Sequence, residues 1–151
     1  MQDFEQILLN LDGFWEHDRT FALHHPTVIR EFGDSAFVIK DVDKVSAYLF
    51  GFLSQTEPVG YVHLLAVRRG YRRQGFAAQL YEHFTIFAIS HSCKYLKAIT
   101  SPVNTLSIAF HKSIGMNPIG EDYGAGTVIK NYAGPGKDRV VFIKKIGTGR
   151  S

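Results

Sequence analysis

The sequence predicts one α/β (α+β) domain, a mixed sheet with flanking helices, on three observations. The chain has 151 residues, 45% of them apolar, which suits a single domain with a sizeable core. Short apolar runs of strand length alternate with segments of helical spacing. One apolar run, Tyr61 to Val67, passes through a basic glycine-rich junction into an apolar-periodic segment, Phe76 to Ile89. That junction is a strand, a turn and a helix, and it demands at least one parallel crossover.

The elements follow in order. Phe4, Ile7, Leu8 and Leu11 have helical spacing, which ends near Asp12-Gly13. Residues 14–34 are rich in aromatics and His, with Pro26 and Gly33, and read as loop plus a short helix. Ser35 to Lys40 is a short strand, residues 41–44 are a turn, and Val45 to Leu53 is the return strand. Pro58 to Val67 is apolar on both faces and so reads as a central, buried strand. A helix then runs from Gln74 to about Ser90, with Ala77, Leu80, Tyr81, Phe84, Phe87 and Ala88 as its buried stripe.

Tyr95 to Thr100 is a strand broken by Ser101-Pro102. Asn104 to Ile114 is a second amphipathic helix stopped at Gly115. Met116 to Glu121 and Arg139 to Ile146 read as strands, joined by a loop with a Gly134-Pro135-Gly136 turn. Residues 1–146 are thus one domain and 147–151 a flexible tail.

Composition narrows the function classes. No apolar run reaches the roughly 18 residues needed to span a bilayer. No basic segment followed by an apolar one marks a secretory signal, so a cytoplasmic location is expected. The one cysteine, Cys93, excludes an internal disulfide and has no His or Asp nearby in sequence. The His24-His25 pair lacks a matching ligand spacing, so no metal is expected. Charge is uneven: residues 1–60 carry net −6 and residues 61–151 net +9. A basic part suits an anionic ligand and an acidic part a cationic one, although plain solvated surface accounts equally for the acidic part.

The basic junction, Val67 to Ala78, holds Arg68, Arg69, Arg72 and Arg73 with Gly70 and Gly75. It is neither a Walker motif, because no Gly-Lys-Ser/Thr follows, nor the dinucleotide fingerprint, because the G-x-G-x-x-G spacing is missing. What it offers is Arg72-x-x-Gly75-x-Ala77. Small residues at 75 and 77 let backbone amides approach a pyrophosphate closely, and the helix start adds its positive dipole end. The arginines add countercharge. Alone, this is also what a solvated turn before a helix looks like. A nucleic-acid contact is a third reading, weakened by the shortness of the basic run.

Farther on stands Asn104-x-x-Ser107-x-x-Phe110-His111-x-x-x-Gly115-Met116. Positions 104, 107 and 111 fall within about 60° on a helical wheel. They form a polar stripe, with Leu106, Phe110 and Ile114 as the core-facing side. The stripe either lines a crevice or faces solvent with Asn104 as an N-cap.

The two motifs in this order resemble the GNAT superfamily, the Gcn5-related N-acetyltransferases, over roughly residues 58–118. The resemblance implies a mostly antiparallel twisted sheet that splays in the middle, after the strand 58–67, with acetyl-CoA in the gap. It assigns the pyrophosphate to the amides of Arg73, Gln74, Gly75, Phe76 and Ala77, flanked by Ala78, with Arg72 or Arg68 nearby. It runs the pantetheine arm along Leu65, Ala66 and Val67, with Asn104 bonding the arm and Ser107 and Phe110 lining it. Two departures stand out: the chain opens on helical spacing rather than a first strand, and position 111 is His where the family most often has Tyr.

Acetyl transfer to an amine requires loss of the ammonium proton, polarisation of the thioester carbonyl and protonation of the leaving thiolate. His63 is the candidate base. It shares a strand face with Leu65, about 7 Å away, and the alternative is a packed histidine in a central strand. The Leu65 amide is the candidate donor to the carbonyl. His111 is the candidate acid by carry-over from the Tyr position, with Tyr123 and Tyr132 as rivals. Trp15, Glu16 and Asp34, together with Phe14, are candidates for the wall of an amine pocket.

The expected activity is direct acetyl transfer from acetyl-CoA to a primary amine of a small molecule or peptide through a ternary complex. The alternative is a non-catalytic acyl-CoA-binding or sensor domain on the same fold. A homodimer is the family-level expectation.

Overall fold

The computed structural model describes residues 1–16, 18–124 and 126–147. The strands form a six-stranded sheet of order β1-β2-β3-β4-β8-β5, and β6 and β7 form a separate pair. In sequence the elements are α1 (Gln2–Leu9), α2 (Leu11–Phe14), α3 (Pro26–Phe32), β1 (Ala36–Asp41), β2 (Lys44–Leu53), β3 (Val59–Val67), α4 (Phe76–Ser90), β4 (Tyr95–Thr100), α5 (Thr105–Ser113), β5 (Asn117–Ile119), β6 (Glu121–Asp122), β7 (Thr127–Val128) and β8 (Val140–Lys145). Short 3₁₀ turns cover Asp18–Leu23 and Gly33–Ser35. The chain gathers into two compact units, Met1–Phe52 with His63–Phe87, and Leu53–Val62 with Ala88–Ser151.

In the first unit, β1 and β2 form an antiparallel hairpin registered from Ala36↔Phe50 to Asp41↔Lys44, with an irregularity between Ile39 and Lys40. Its core joins Ile7, Phe14, Val45, Tyr48, Phe50, Leu64 and Ala66. The alternation along β3 is clear: Val62, Leu64 and Ala66 are buried, whereas His63, Leu65 and Val67 are half-buried on the other face. Helix α4 buries Leu80, Tyr81 and Phe84, and Phe37 of β1 meets Phe84 and Phe87 with ring centres 6.4 and 5.9 Å apart.

In the second unit, the start of β3 runs parallel to β4 from Val59↔Tyr95 to Val62↔Ala98. Strand β8 pairs antiparallel with β4 on one side and β5 on the other. Leu96, Ala98, Met116, Val141 and Phe142 are its innermost side chains. Helix α5 ends as Gly115 adopts φ +85°, with Gly115 N–H bonding Lys112 O and Met116 N–H bonding His111 O, a Schellman closure.

The structure corrects several expectations. The central strand is buried on one face and half-buried on the other. Residues 14–34 hold the 3₁₀ stretch Asp18–Leu23 in addition to the short helix α3, and β7 occupies what reads as loop. Leu106, expected on the core side of α5, is 83% exposed. The helix buries His111 instead, and Leu106 lies about 140° round the wheel from it. Gly147, expected to begin the tail, bonds through its amide to Lys94 O. The rest of that tail lies outside the described residues.

Candidate functional site

The turn between β3 and α4 takes its shape from three left-handed residues. Gly70, Arg73 and Gly75 have φ of +88°, +64° and +79°. A Cβ built on Gly75 meets nothing within 4 Å, so the space outside this bend is open. Gln79 N–H bonds Gly75 O as the first turn of α4 closes. The amides of Phe76, Ala77 and Ala78 therefore stand at the helix start, where α-helical geometry supplies no partner. Alternating left- and right-handed residues before a helix start make a concave group of N–H donors suited to an anion.

The arginines of this turn do something the sequence does not announce. Arg68 is only 9% exposed. Its Nε donates to Val45 O at 2.9 Å and its guanidinium lies over the Phe14 ring, 4.5 Å from the centre. Arg69 N–H donates to Gly13 O, and Arg69 Nη2 reaches Trp15 O at 3.4 Å. Arg72 Nη2 donates to Phe14 O at 3.1 Å and its Nη1 lies 3.4 Å from Glu16 Oε1. Two arginines, Arg69 and Arg72, thus satisfy the carbonyl end of the α2 segment, where a helix leaves its last C=O groups unpaired. Arg68, expected near the phosphates as one of two alternatives, is a buried strut. Arg73 is exposed at the bend.

The proposed acceptor wall is partly dismantled. Phe14 is core. Glu16 shares its charge with Arg72. Asp34 is exposed in the 3₁₀ turn before β1. Trp15 donates through Nε1 to the Tyr48 hydroxyl at 2.7 Å, and His24 Nε2 lies 2.7 Å from the same oxygen. Tyr48 and His24 are residues that sequence reasoning missed. Tyr48 reads as one more aromatic in a strand, and its partners are 33 and 24 positions away.

His63 lies between aromatic rings, with centres 5.1 Å from Phe52 and 6.0 Å from Phe50. Burial pushes its imidazolium below the ordinary histidine range. Its neutral form is therefore the resting form at neutral pH, as a proton acceptor requires.

In the second unit, Asn104 caps α5, its Oδ1 accepting from Ser107 N–H at 3.1 Å. His111 is 6% exposed and stacked on Phe142, ring centres 5.0 Å apart. Its Nδ1–H donates to Ser107 O at 2.7 Å, with Ser107 Oγ at 3.2 Å and the Phe110 ring edge-on at 5.3 Å. Burial lowers its pKa. An imidazole that is neutral and holds its proton on Nδ1 is a poor acid, which weighs against the expectation that His111 protonates a thiolate. Tyr123 donates to Glu121, a bond that raises its pKa. Tyr132 is exposed.

Cys93 is buried, and burial raises its thiol pKa. Among the described residues, no three His, Cys, Asp or Glu side chains gather as a metal-ligand set. Among them too, no helix is long and apolar enough to cross a membrane.

The sequence profile of the acetyltransferase (GNAT) family matches residues 1–116. No curated protein sequence matches the chain significantly. Solved structures resemble it over nearly its whole length. The ribosomal-protein-S18-alanine N-acetyltransferase of Escherichia coli has a TM-score of 0.70 at 17% identity, covering 99% of this chain and 91% of its own. Ard1 of Thermoplasma volcanium has a TM-score of 0.74 at 17% identity, covering 97% and 93%. An aminoglycoside 6'-N-acetyltransferase complexed with coenzyme A has a TM-score of 0.67 at 13% identity, covering 99% and 92%.

Proposed function

Because the chain belongs to the acetyltransferase (GNAT) family, we propose that it moves an acetyl group from acetyl-CoA directly to a primary amine of a small molecule or peptide. The observation that carries this reading is the bend at Gly70, Arg73 and Gly75 leading into α4, with open space beside Gly75. The amides of residues 73–78 would hold the pyrophosphate, with the exposed Arg73 as nearby countercharge. The main chain of Leu65, Ala66 and Val67 would pair with the pantetheine arm. Asn104, Ser107, Phe110 and His111 keep the role of lining it that the family resemblance gives them.

Acetyl-CoA, when bound, supplies the activated thioester. The chain's own part is to hold the donor, polarise its carbonyl through the Leu65 amide and take the ammonium proton. His63 is the proposed base: it is neutral at rest, and it stands on the same face of β3 as Leu65. Proton acceptance by a positioned side chain contributes roughly 10²–10⁴ in rate. His111 is retained as a neighbour of the arm and not as the acid.

An amine acceptor is supported by two similar structures whose names specify an alanine of a ribosomal protein and an aminoglycoside. Trp15, Tyr123 and Tyr132, with Glu16 and Asp34, remain candidates for its recognition. A cytoplasmic location and a homodimer belong to the same reading.

The test is a thiol-release screen across small amines and peptides, run beside a calorimetric titration of CoA. Thiol release with at least one amine is expected. Tight CoA binding without release for any acceptor would overturn catalysis in favour of an acyl-CoA sensor.

A further inference from the structure

Arg72 is held differently from the buried arginine of the same turn. Arg68 donates through Nε to Val45 O at 2.9 Å, out of solvent. Arg72 makes three longer bonds: Nε to Val67 O at 3.3 Å, Nη2 to Phe14 O at 3.1 Å and Nη1 to Glu16 Oε1 at 3.4 Å. Two of these acceptors are main-chain carbonyls, at the last residues of β3 and α2. They fix the plane of the guanidinium. The third acceptor is a carboxylate, and it is the weakest of the three contacts. Charge-assisted N–H···O bonds ordinarily close to about 2.7–2.9 Å, so this pair is loose. Its side chains are 43% and 65% exposed, and water and salt screen it further.

A guanidinium fixed through two carbonyls presents its remaining edge to one anion at a time. Arg72 directly precedes Arg73, the first of the amides at the left-handed bend, where the pyrophosphate stands under the proposed function. Carboxylate and phosphate oxygens suit the same edge. A carboxylate held at 3.4 Å on an exposed side chain gives way to a phosphate at little cost, and returns when the phosphate leaves.

We propose that Glu16 and a phosphate oxygen of CoA compete for Nη1 of Arg72, so that Glu16 is a built-in competitor that lowers CoA affinity and hastens its release. The exchange rests on the turn being the CoA site. It makes Arg72 a donor-binding residue through one edge and a clamp on the α2 segment through the other. A carboxylate that speeds departure of CoA assists turnover wherever product release is slow.

The test is calorimetric titration of CoA into the full chain and its variants at one ionic strength. Glu16→Gln should bind CoA about two- to fivefold more tightly, the scale of an exposed ion pair. The gain should appear as slower CoA dissociation from the immobilised protein. Arg72→Gln should bind CoA about tenfold more weakly, the scale of one charge-assisted bond. In the Arg72→Gln background, Glu16→Gln should bring no further gain, because nothing is left to compete for. Should Arg72→Gln fail to fold, Glu16→Asp takes its place. It keeps the charge and withdraws it by one methylene, so competition predicts a gain and general repulsion of CoA predicts none. Unchanged CoA affinity in Glu16→Gln, or the same gain with Arg72 absent, overturns the exchange and leaves the CoA site standing. No CoA binding by the unaltered protein overturns the reading of the turn and the exchange with it.

Discussion

Arg68 lies over the ring of Phe14, its guanidinium carbon 4.5 Å from the ring centre. An arginine that looks like phosphate countercharge in the sequence is thereby a strut between the turn and the α2 segment. Its bond to Val45 O is charge-assisted, a class worth about 1.5–3 kcal/mol, and its cation–π contact adds about 1–2 kcal/mol when desolvated. Arg68→Met should therefore destabilise the fold by about 2–3 kcal/mol in urea titration, allowing for the stem contacts Met retains. CoA affinity of the folded variant should change by less than about threefold, under 1 kcal/mol.

Gly75 separates conformation from space. At φ +79° any side chain is strained, yet a Cβ there meets nothing within 4 Å. Gly75→Ala should fold with a loss of about 1–2 kcal/mol and bind CoA with modest weakening. Gly75→Glu adds bulk and negative charge at the same spot and should abolish CoA binding by calorimetry. Equal affinities for the two variants would place the pyrophosphate elsewhere.

His63→Ala should reduce kcat by about 10²-fold while changing CoA affinity little. Burial holds His63 below its ordinary value of 6.5, and the base must be neutral to work. Turnover should thus be on its plateau with respect to His63 at pH 7 and fall only below pH 6.5. A kcat profile whose acidic midpoint lies above 6.5 contradicts the assignment.

Stability should follow the same histidines. His24, His63 and His111 all have pKa values lowered by burial from 6.5. The unfolded chain therefore binds more protons than the folded one once pH drops below about 6.5. Their contribution is whole above that pH and is lost as pH falls toward the lowered folded values. Thermal melting should show a constant Tm from these groups above pH 7 and a declining one below 6.5. His24→Phe should flatten the decline.

His111→Asn keeps a donor for Ser107 O but removes Nε2. Because His111 is buried and neutral with its proton on Nδ1, this variant should keep kcat within about threefold of the unaltered protein, well short of the loss expected for a general acid. A hundredfold loss in steady-state assays would restore the acid role.

Most strands and helices were legible in the sequence because periodicity survives in local patterns. Phe84 and Leu80 mark the inner face of α4 by spacing alone. The order of β3, turn and α4, with glycines at two of the three positions where the bend has positive φ, likewise reads directly from residues 67–78. Helix α5 misled because Leu106 and His111 invert their ordinary preferences. Burial is decided by what packs on a face, and Phe142, 31 positions downstream of His111, stacks on that ring.

By itself, then, the sequence determined the order of elements, the glycine-rich bend and the family to which both belong, since each depends on residues close together in the chain. Only the tertiary structure decided which arginines are committed to carbonyls of residues 13–15 and 45. It likewise decided that His111 is buried against Phe142 with its pKa lowered, and that Trp15, Tyr48 and His24 form one directed chain. Hydrogen-bond direction and burial arise from groups tens of residues apart, and no local pattern records them.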